Sequence, residues 1–212
     1  MPRSVLVAGA TGLVGGEILR QLGRDDAFDD VLALVRRPLS GPLPSRVRVI
    51  VADFDLLEST PEWFKVDQVF SALGTTIRKA GSQEAFRRVD FEYPRTIAAL
   101  ARAQGAGHFL LVSSIGADPR SRIFYSRVKG ELEDAVVNLG YPAVTIARPS
   151  FLLGPRKELR VGELLMKRAG FLLPAVWKPV EAGQVASVLV RAARGETPGV
   201  RILDNVTLRG AA

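Results

Sequence analysis

Three observations predict an α/β fold, a three-layer Rossmann-type arrangement in which a doubly wound parallel sheet is covered by helices. Short apolar runs alternate with helical stretches along most of the chain, the order that builds a parallel sheet. A glycine-rich turn lies between the first run and the first helical stretch, within fifteen residues of the start. The 212 residues, 47% hydrophobic and 24% charged, suffice for one domain with a sizeable core. A single domain over 1–212 is therefore expected, with a small C-terminal region on the substrate side.

The elements follow in order. Residues 4–8 (SVLVA) read as a buried strand, and Leu13–Leu22 carries apolar residues at helical spacing. Residues 31–35 (VLALV), 47–51 (VRVIV) and 66–73 read as the second to fourth strands. One long helix is expected over 83–104, with Ala, Leu and Ile on one face. Residues 108–113 (HFLLVS) form the fifth strand, 122–139 a helix whose charge pairs suit an exposed face, and 143–147 (AVTIA) the sixth strand. A helix over 183–194 and a short strand over 200–203 close the pattern. The stretch 162–180, apolar but interrupted by glycine and proline, suits a small cap over a pocket, a helix pair in a dimer contact, or plain core. No internal repeat or low-complexity tract occurs.

Composition removes several classes of chemistry. With no cysteine there is no disulfide, thiol nucleophile or Cys-ligated zinc, and the single histidine, His108, cannot build a histidine metal site alone. No metal is expected. The +7 net charge is mostly arginine spread along the chain, without the basic stripe and interleaved aromatics of a nucleic-acid binder. The opening apolar run is too short for a secretion signal, and no run is long enough to span a membrane. A cytoplasmic protein is expected. Its oligomeric state is not readable.

Gly9, Ala10, Thr11, Gly12, Leu13, Val14 and Gly15 form G-x-x-G-x-x-G between strand and helix. Glycine lets the chain reverse and lets backbone N–H groups approach a pyrophosphate, while the helix start adds unpaired N–H groups and its positive dipole end. About 20 residues later, NAD-binding folds place an acid for the ribose 2′-hydroxyl. This chain has Arg36 and Arg37 there, two guanidinium groups suited to a 2′-phosphate. NADPH is therefore expected over NADH, the alternative being ordinary surface arginines. Asp53, after the third strand, suits either the adenine amino group or a helix N-cap.

Tyr125 and Lys129 form Y-x-x-x-K, one turn apart on one helix face, shortly after the serine doublet Ser113–Ser114. A tyrosine titrates at about pH 10 unaided, and a neighbouring ammonium stabilises its phenolate. A serine hydroxyl can then hold the substrate oxygen while hydride moves to or from the adjacent carbon.

Together, the glycine turn and the Ser-to-YxxxK constellation resemble the short-chain dehydrogenase/reductase superfamily, in its extended and atypical branches. Over nearly the whole chain, VFSALGTTIRKAGSQEAFRRVDFEYP, LLVSSIGA, YSRVKGELE and ARPSFLLGPR resemble the Tat-interacting-protein family of atypical members, which are often labelled oxidoreductases or epimerase-like. The resemblance implies that Thr11, Gly12, Leu13 and Val14 line the pyrophosphate, Arg36 and Arg37 the 2′-phosphate, and Leu73 and Gly74 the ribose. It implies that Tyr125 transfers the proton, that Lys129 binds the nicotinamide ribose, and that Ser114, with Ser113 as the alternative register, orients substrate. Pro149 to Leu152 (PSFL) would close over the nicotinamide, and Arg160 would reach a phosphate. One position departs: many extended members carry asparagine in the central helix, where this chain reads Arg88-Val89-Asp90, so an asparagine-based proton relay does not carry over.

Three functions follow as expectations. The leading one is an NADPH-dependent oxidoreductase acting on a small-molecule carbonyl substrate, with Tyr125 as proton donor. An NADPH-binding sensor with little catalysis is the second, which the trio Ser114, Tyr125 and Lys129 disfavours. The third, a nucleoside-diphosphate-sugar epimerase-like enzyme, is disfavoured by the short stretch after the sixth strand.

Overall fold

β1 (Arg3–Ala8) sends Val5 and Val7 to one side of the sheet and Leu6 and Ala8 to the other, and all four are buried. A strand apolar on both sides needs cover on both faces, and it receives it. The computed structural model describes residues 3–154 and 174–210. Within them, α1 (Leu13–Leu22) follows β1, and β2 (Phe28–Val35), β3 (Val47–Val51) and β4 (Gln68–Ser71) add parallel strands. Two short helical turns, α2 (Ile77–Ala80) and α3 (Gln83–Arg87), lead through a π-turn at Arg88–Glu92 into α4 (Tyr93–Ala103). β5 (His108–Val112), α5 (Phe124–Val137) and β6 (Ala143–Ala147) come next. The two-residue strands β7 (Leu152–Leu153) and β8 (Val180–Glu181) pair with each other, and α6 (Ala182–Gly195), β9 (Gly199–Leu203) and α7 (Asn205–Arg209) complete the chain.

The main sheet has seven parallel strands in the order β3-β2-β1-β4-β5-β6-β9. α1 and α6 cover one face, where Val5 and Val7 meet Ile18, Leu22, Val185 and Leu189. α4 and α5 cover the other, where Leu6 and Ala8 join Ile97, Ala101, Leu132 and Val136. The strand order reverses between β1 and β4. A doubly wound sheet opens a ligand crevice at such a point, outside the carboxyl ends of its strands.

The expected elements are present, with three differences. The strand expected over 66–73 is shorter, and β2 starts earlier, at Phe28. The helix expected over 83–104 is not regular: it widens into the π-turn just before Pro94. In an α-helical register Pro94 would owe an N–H to the Asp90 carbonyl, and proline has none. The chain instead bonds the Tyr93 N–H to the Arg88 carbonyl, a wider loop that turns Asp90 fully inward. Of the stretch 162–180, residues 162–173 lie outside the described residues. The remainder includes a 3-10 turn at Ala175–Trp177 and β8.

His108 opens β5, and its Nε2 lies 2.9 Å from the Thr145 hydroxyl. Burial is the main force holding its imidazole neutral, with Arg201 and Arg3 adding to it against Glu196, so its pKa drops to about 4. The unfolded chain takes that proton near the usual histidine value, about 6.5. Stability from this group is thus intact above pH 6.5 and is lost as pH falls toward 4, by about 2–3 kcal/mol. Denaturant unfolding at pH 7 and pH 4.5 should show a smaller acid loss for His108→Gln than for wild type. Equal losses would exclude the histidine as its source.

Candidate active site

The glycine turn sits at the reversal of strand order, and its glycines divide the work. Gly9 has a φ of 90°, and a Cβ there would lie 2.5 Å from the Ala72 carbonyl carbon just past β4. A Cβ on Gly15 would come within 2.1 Å of the Gly9 carbonyl oxygen. Those two glycines are therefore required by chain packing against chain. Gly12 is different. It is the exposed N-cap of α1, no side chain caps it, and the first turn holds no acid. The first bond into the helix runs from the Gly16 N–H to the Gly12 carbonyl (2.9 Å), so the amides of Leu13, Val14 and Gly15 precede it. Thr11 is exposed beside this amide array, whereas the Val14 side chain is core, leaving Val14 only its N–H for a ligand. A Cβ on Gly154 would meet Leu13 Cδ2 at 3.1 Å, which puts the loop after β7 against the start of α1. This bare, unacidic cradle fits a pyrophosphate.

Arg36 and Arg37 follow β2, both exposed and without a carboxylate partner among the described residues. Next to them lies a feature the sequence did not single out. The Tyr93 hydroxyl donates to Asp55 Oδ1 (2.8 Å), and the Tyr93 ring packs edge-on against Phe54 at 5.5 Å. Burial and the Asp55 carboxylate raise the Tyr93 pKa, while Arg88 and Arg36 pull it down. Asp53 Oδ1 accepts the Asp55 N–H (3.0 Å), so its side chain locks the turn after β3 rather than capping an α-helix.

Beyond β4, Leu73 and Gly74 pass beside a buried ion pair. Lys129 Nζ lies 2.8 Å from Asp90 Oδ1, with side chains 4% and 0% exposed. The other carboxylate oxygen, Asp90 Oδ2, accepts the Thr75 N–H (2.8 Å). A Cβ on Gly74 would meet Asp90 Oδ1 at 3.5 Å and Lys129 Nζ at 3.8 Å. Burial disfavours the ammonium, but Asp90 chiefly, then Tyr125 and Glu133, outweigh it and hold Lys129 above the usual lysine range. Tyr125 stands one turn earlier on α5, half-buried, its ring 5.5 Å from that of Phe86. No hydrogen bond to its hydroxyl occurs among the described residues.

The two serines of the doublet differ in burial and in partners. Ser113 is buried and its hydroxyl donates to Glu133 Oε1. Arg148 in turn grips Glu133 through Nε at 3.1 Å to each oxygen and through Nη2. Ser114 is only partly buried, and its hydroxyl makes a single long bond to the neighbouring Ile115 carbonyl (3.3 Å). The Ile115 N–H donates to the Pro149 carbonyl (2.8 Å), tying the loop after β5 to the loop after β6. Pro149 is buried, Leu152 belongs to β7, and Arg160 lies outside the described residues.

One expectation is corrected. α5 does not carry its charges only on an exposed face: Lys129 and Glu133, one turn apart in line with Tyr125, point inward. The i, i+4 spacing of all three was visible in the sequence, but the partners that permit their burial, Asp90 and Arg148, come from other elements. Glu133, Arg148 and Asp55 are the members of the site that sequence reasoning passed over, and Asp90, noted there only as a departure from asparagine, is the buried partner of Lys129.

A family model described as NAD(P)H-binding matches residues 9–194. Protein HTATIP2 of Rattus norvegicus is 38% identical over 190 residues, covering 88% of this chain and 78% of the relative. The mitochondrial protein FMP52-1 of Scheffersomyces stipitis is 34% identical and covers 95% of each chain. Among solved structures, MoeE5 in complex with UDP-glucuronic acid and NAD superposes with a TM-score of 0.75 at 20% identity, over 94% of this chain and 75% of that one. WbmG of Bordetella bronchiseptica in complex with NAD gives 0.72 at 15% identity, over 96% and 73%. At these identities the structural likeness concerns the fold.

Proposed function

The chain belongs to the NAD(P)H-binding family, within the atypical short-chain dehydrogenases/reductases, and from that membership we propose that it is an NADPH-dependent reductase of a small-molecule carbonyl substrate. The observation that carries the proposal is the placement of Tyr125 and Lys129. They stand one turn apart on α5, and Lys129 lies against Gly74 in the loop after β4.

A bound nicotinamide dinucleotide supplies the hydride. The chain's own groups do the rest. The amides at the start of α1 hold the pyrophosphate, and Arg36 and Arg37 take the 2′-phosphate that separates NADPH from NADH. Ser114, whose hydroxyl is little engaged, holds the carbonyl oxygen; Ser113 is committed to Glu133. Tyr125 delivers its hydroxyl proton to that oxygen, so the carbonyl carbon gains hydride, the oxygen gains the proton, and an alcohol leaves. The Lys129 ammonium stabilises the phenolate left behind and offers remaining N–H groups to the nicotinamide ribose. Positioning of this kind accounts for much of a reductase's rate.

Two measurements test this reading. NADPH should raise the melting temperature several degrees more than NADH at equal concentration, since each tenfold in affinity is worth about 1.4 kcal/mol. A panel of ketones and aldehydes followed by NADPH consumption should give at least one substrate. Equal thermal shifts would remove the arginine assignment, and a panel without turnover despite tight NADPH binding would favour a sensor.

A further inference from the structure

Asp90 is a charged side chain with no exposure at all, and it serves two segments of chain at once. One carboxylate oxygen sits 2.8 Å from Lys129 Nζ on α5, and the other accepts the Thr75 N–H, at 2.8 Å, from the loop after β4. Both contacts lie against Gly74, which lacks a side chain to separate them from the crevice. The carboxylate reaches this point because the π-turn before Pro94 rotates it inward. We propose that Asp90 is the positioning residue of this site: its carboxylate anchors the Lys129 ammonium and the pocket-bordering loop to a single point beside Gly74. The proposal rests on the cofactor reading above and adds to it a residue that touches neither cofactor nor substrate.

The charge of Asp90 matters as well as its shape. An ammonium buried to this degree is penalised by desolvation unless a carboxylate faces it. The titratable groups around Lys129 are Asp90 on the π-turn and Tyr125 and Glu133 on its own helix, and Glu133 is already neutralised by Arg148. Among the described residues, Asp90 is therefore the one full countercharge of Lys129 not already engaged by another cation. An asparagine there has one oxygen to accept with: it would keep either the Thr75 N–H or Lys129, set its NH2 against the other donor, and bring no charge. Burial would then pull the Lys129 ammonium down into an accessible pH range, and the cation would be lost as pH rises.

The test compares wild type, Asp90→Asn, Lys129→Met and the double variant, with NADPH binding followed by nucleotide fluorescence between about pH 7 and pH 9.5. Wild-type affinity should vary little on account of Lys129 across this window. Measured against its own affinity at pH 7, Asp90→Asn should lose roughly tenfold by the top of the window, the worth of one hydrogen bond to a charged group. Lys129→Met should abolish that added pH dependence, alone and in the double variant. An Asp90→Asn profile parallel to wild type, or a pH dependence that survives in the double variant, would overturn the proposal. If Asp90→Asn does not fold, the Lys129 side-chain NMR shift in the wild-type protein decides: it should stay constant across the window, and a titration inside it would overturn the proposal. Failure of wild type to bind NADPH would instead remove the cofactor reading, a result distinguishable from either of these.

Discussion

Replacing Tyr125 with phenylalanine should lower carbonyl reduction by about 10²–10⁴-fold, the usual worth of a positioned proton donor. The structure makes this a clean substitution. The ring's contact with Phe86 survives, and the Lys129–Asp90 pair is untouched. Since no bond to the hydroxyl occurs among the described residues, stability should change by no more than about 0.5 kcal/mol. The thermal shift produced by NADPH should likewise remain. Loss of turnover with retained cofactor binding separates a chemical role from a binding one. Turnover at the wild-type rate would remove Tyr125 from the mechanism and leave the serine doublet without a proton donor beside it.

The paired substitution Arg36→Ala, Arg37→Ala should weaken NADPH by roughly 10–100-fold while changing NADH only slightly. Neither guanidinium is engaged by a carboxylate among the described residues, so their removal breaks no ion pair there and should barely alter the melting temperature of the apoprotein. The effect should shrink as salt is raised, because both groups are exposed. Asp55 sharpens the expectation. It stands near enough to Arg36 that both act on the Tyr93 hydroxyl, and without the two arginines it would face a 2′-phosphate with less countercharge, Arg88 remaining. Asp55→Asn in the double-alanine background should therefore recover part of the lost NADPH affinity. Equal weakening of both nucleotides would assign the arginines a general rather than a selective role.

The sheet, the turn and the order of elements were legible in the chain. Buried parallel strands read as apolar runs, and β1, β3 and β6 lie where those runs predict them, to within a residue. The glycine spacing identified the cradle, though not its division of labour. Gly9 and Gly15 exist for chain contacts with Ala72 and with the turn itself, and only packing reveals that Gly12 alone faces outward. The helix over 83–104 was misread because apolar periodicity continues through a π-turn without a visible break. Pro94, the residue that disfavours a regular helix there, could have signalled it.

The candidate site divides along the same line. Periodicity over one or two turns is a local property, so the sequence alone determined that Tyr125, Lys129 and Glu133 share a helix face and that a serine doublet follows β5. It also determined where a dinucleotide would enter, because a strand, a glycine turn and a helix are consecutive. Which serine is open, and which charges are buried, depended on partners far away in the chain. Ser113 is claimed by Glu133, Glu133 by Arg148, and Lys129 by Asp90, and each pairing joins segments that meet only when the sheet is assembled. Burial of a charge is permitted by its partner rather than by its own sequence neighbourhood, and that permission exists only in the folded chain.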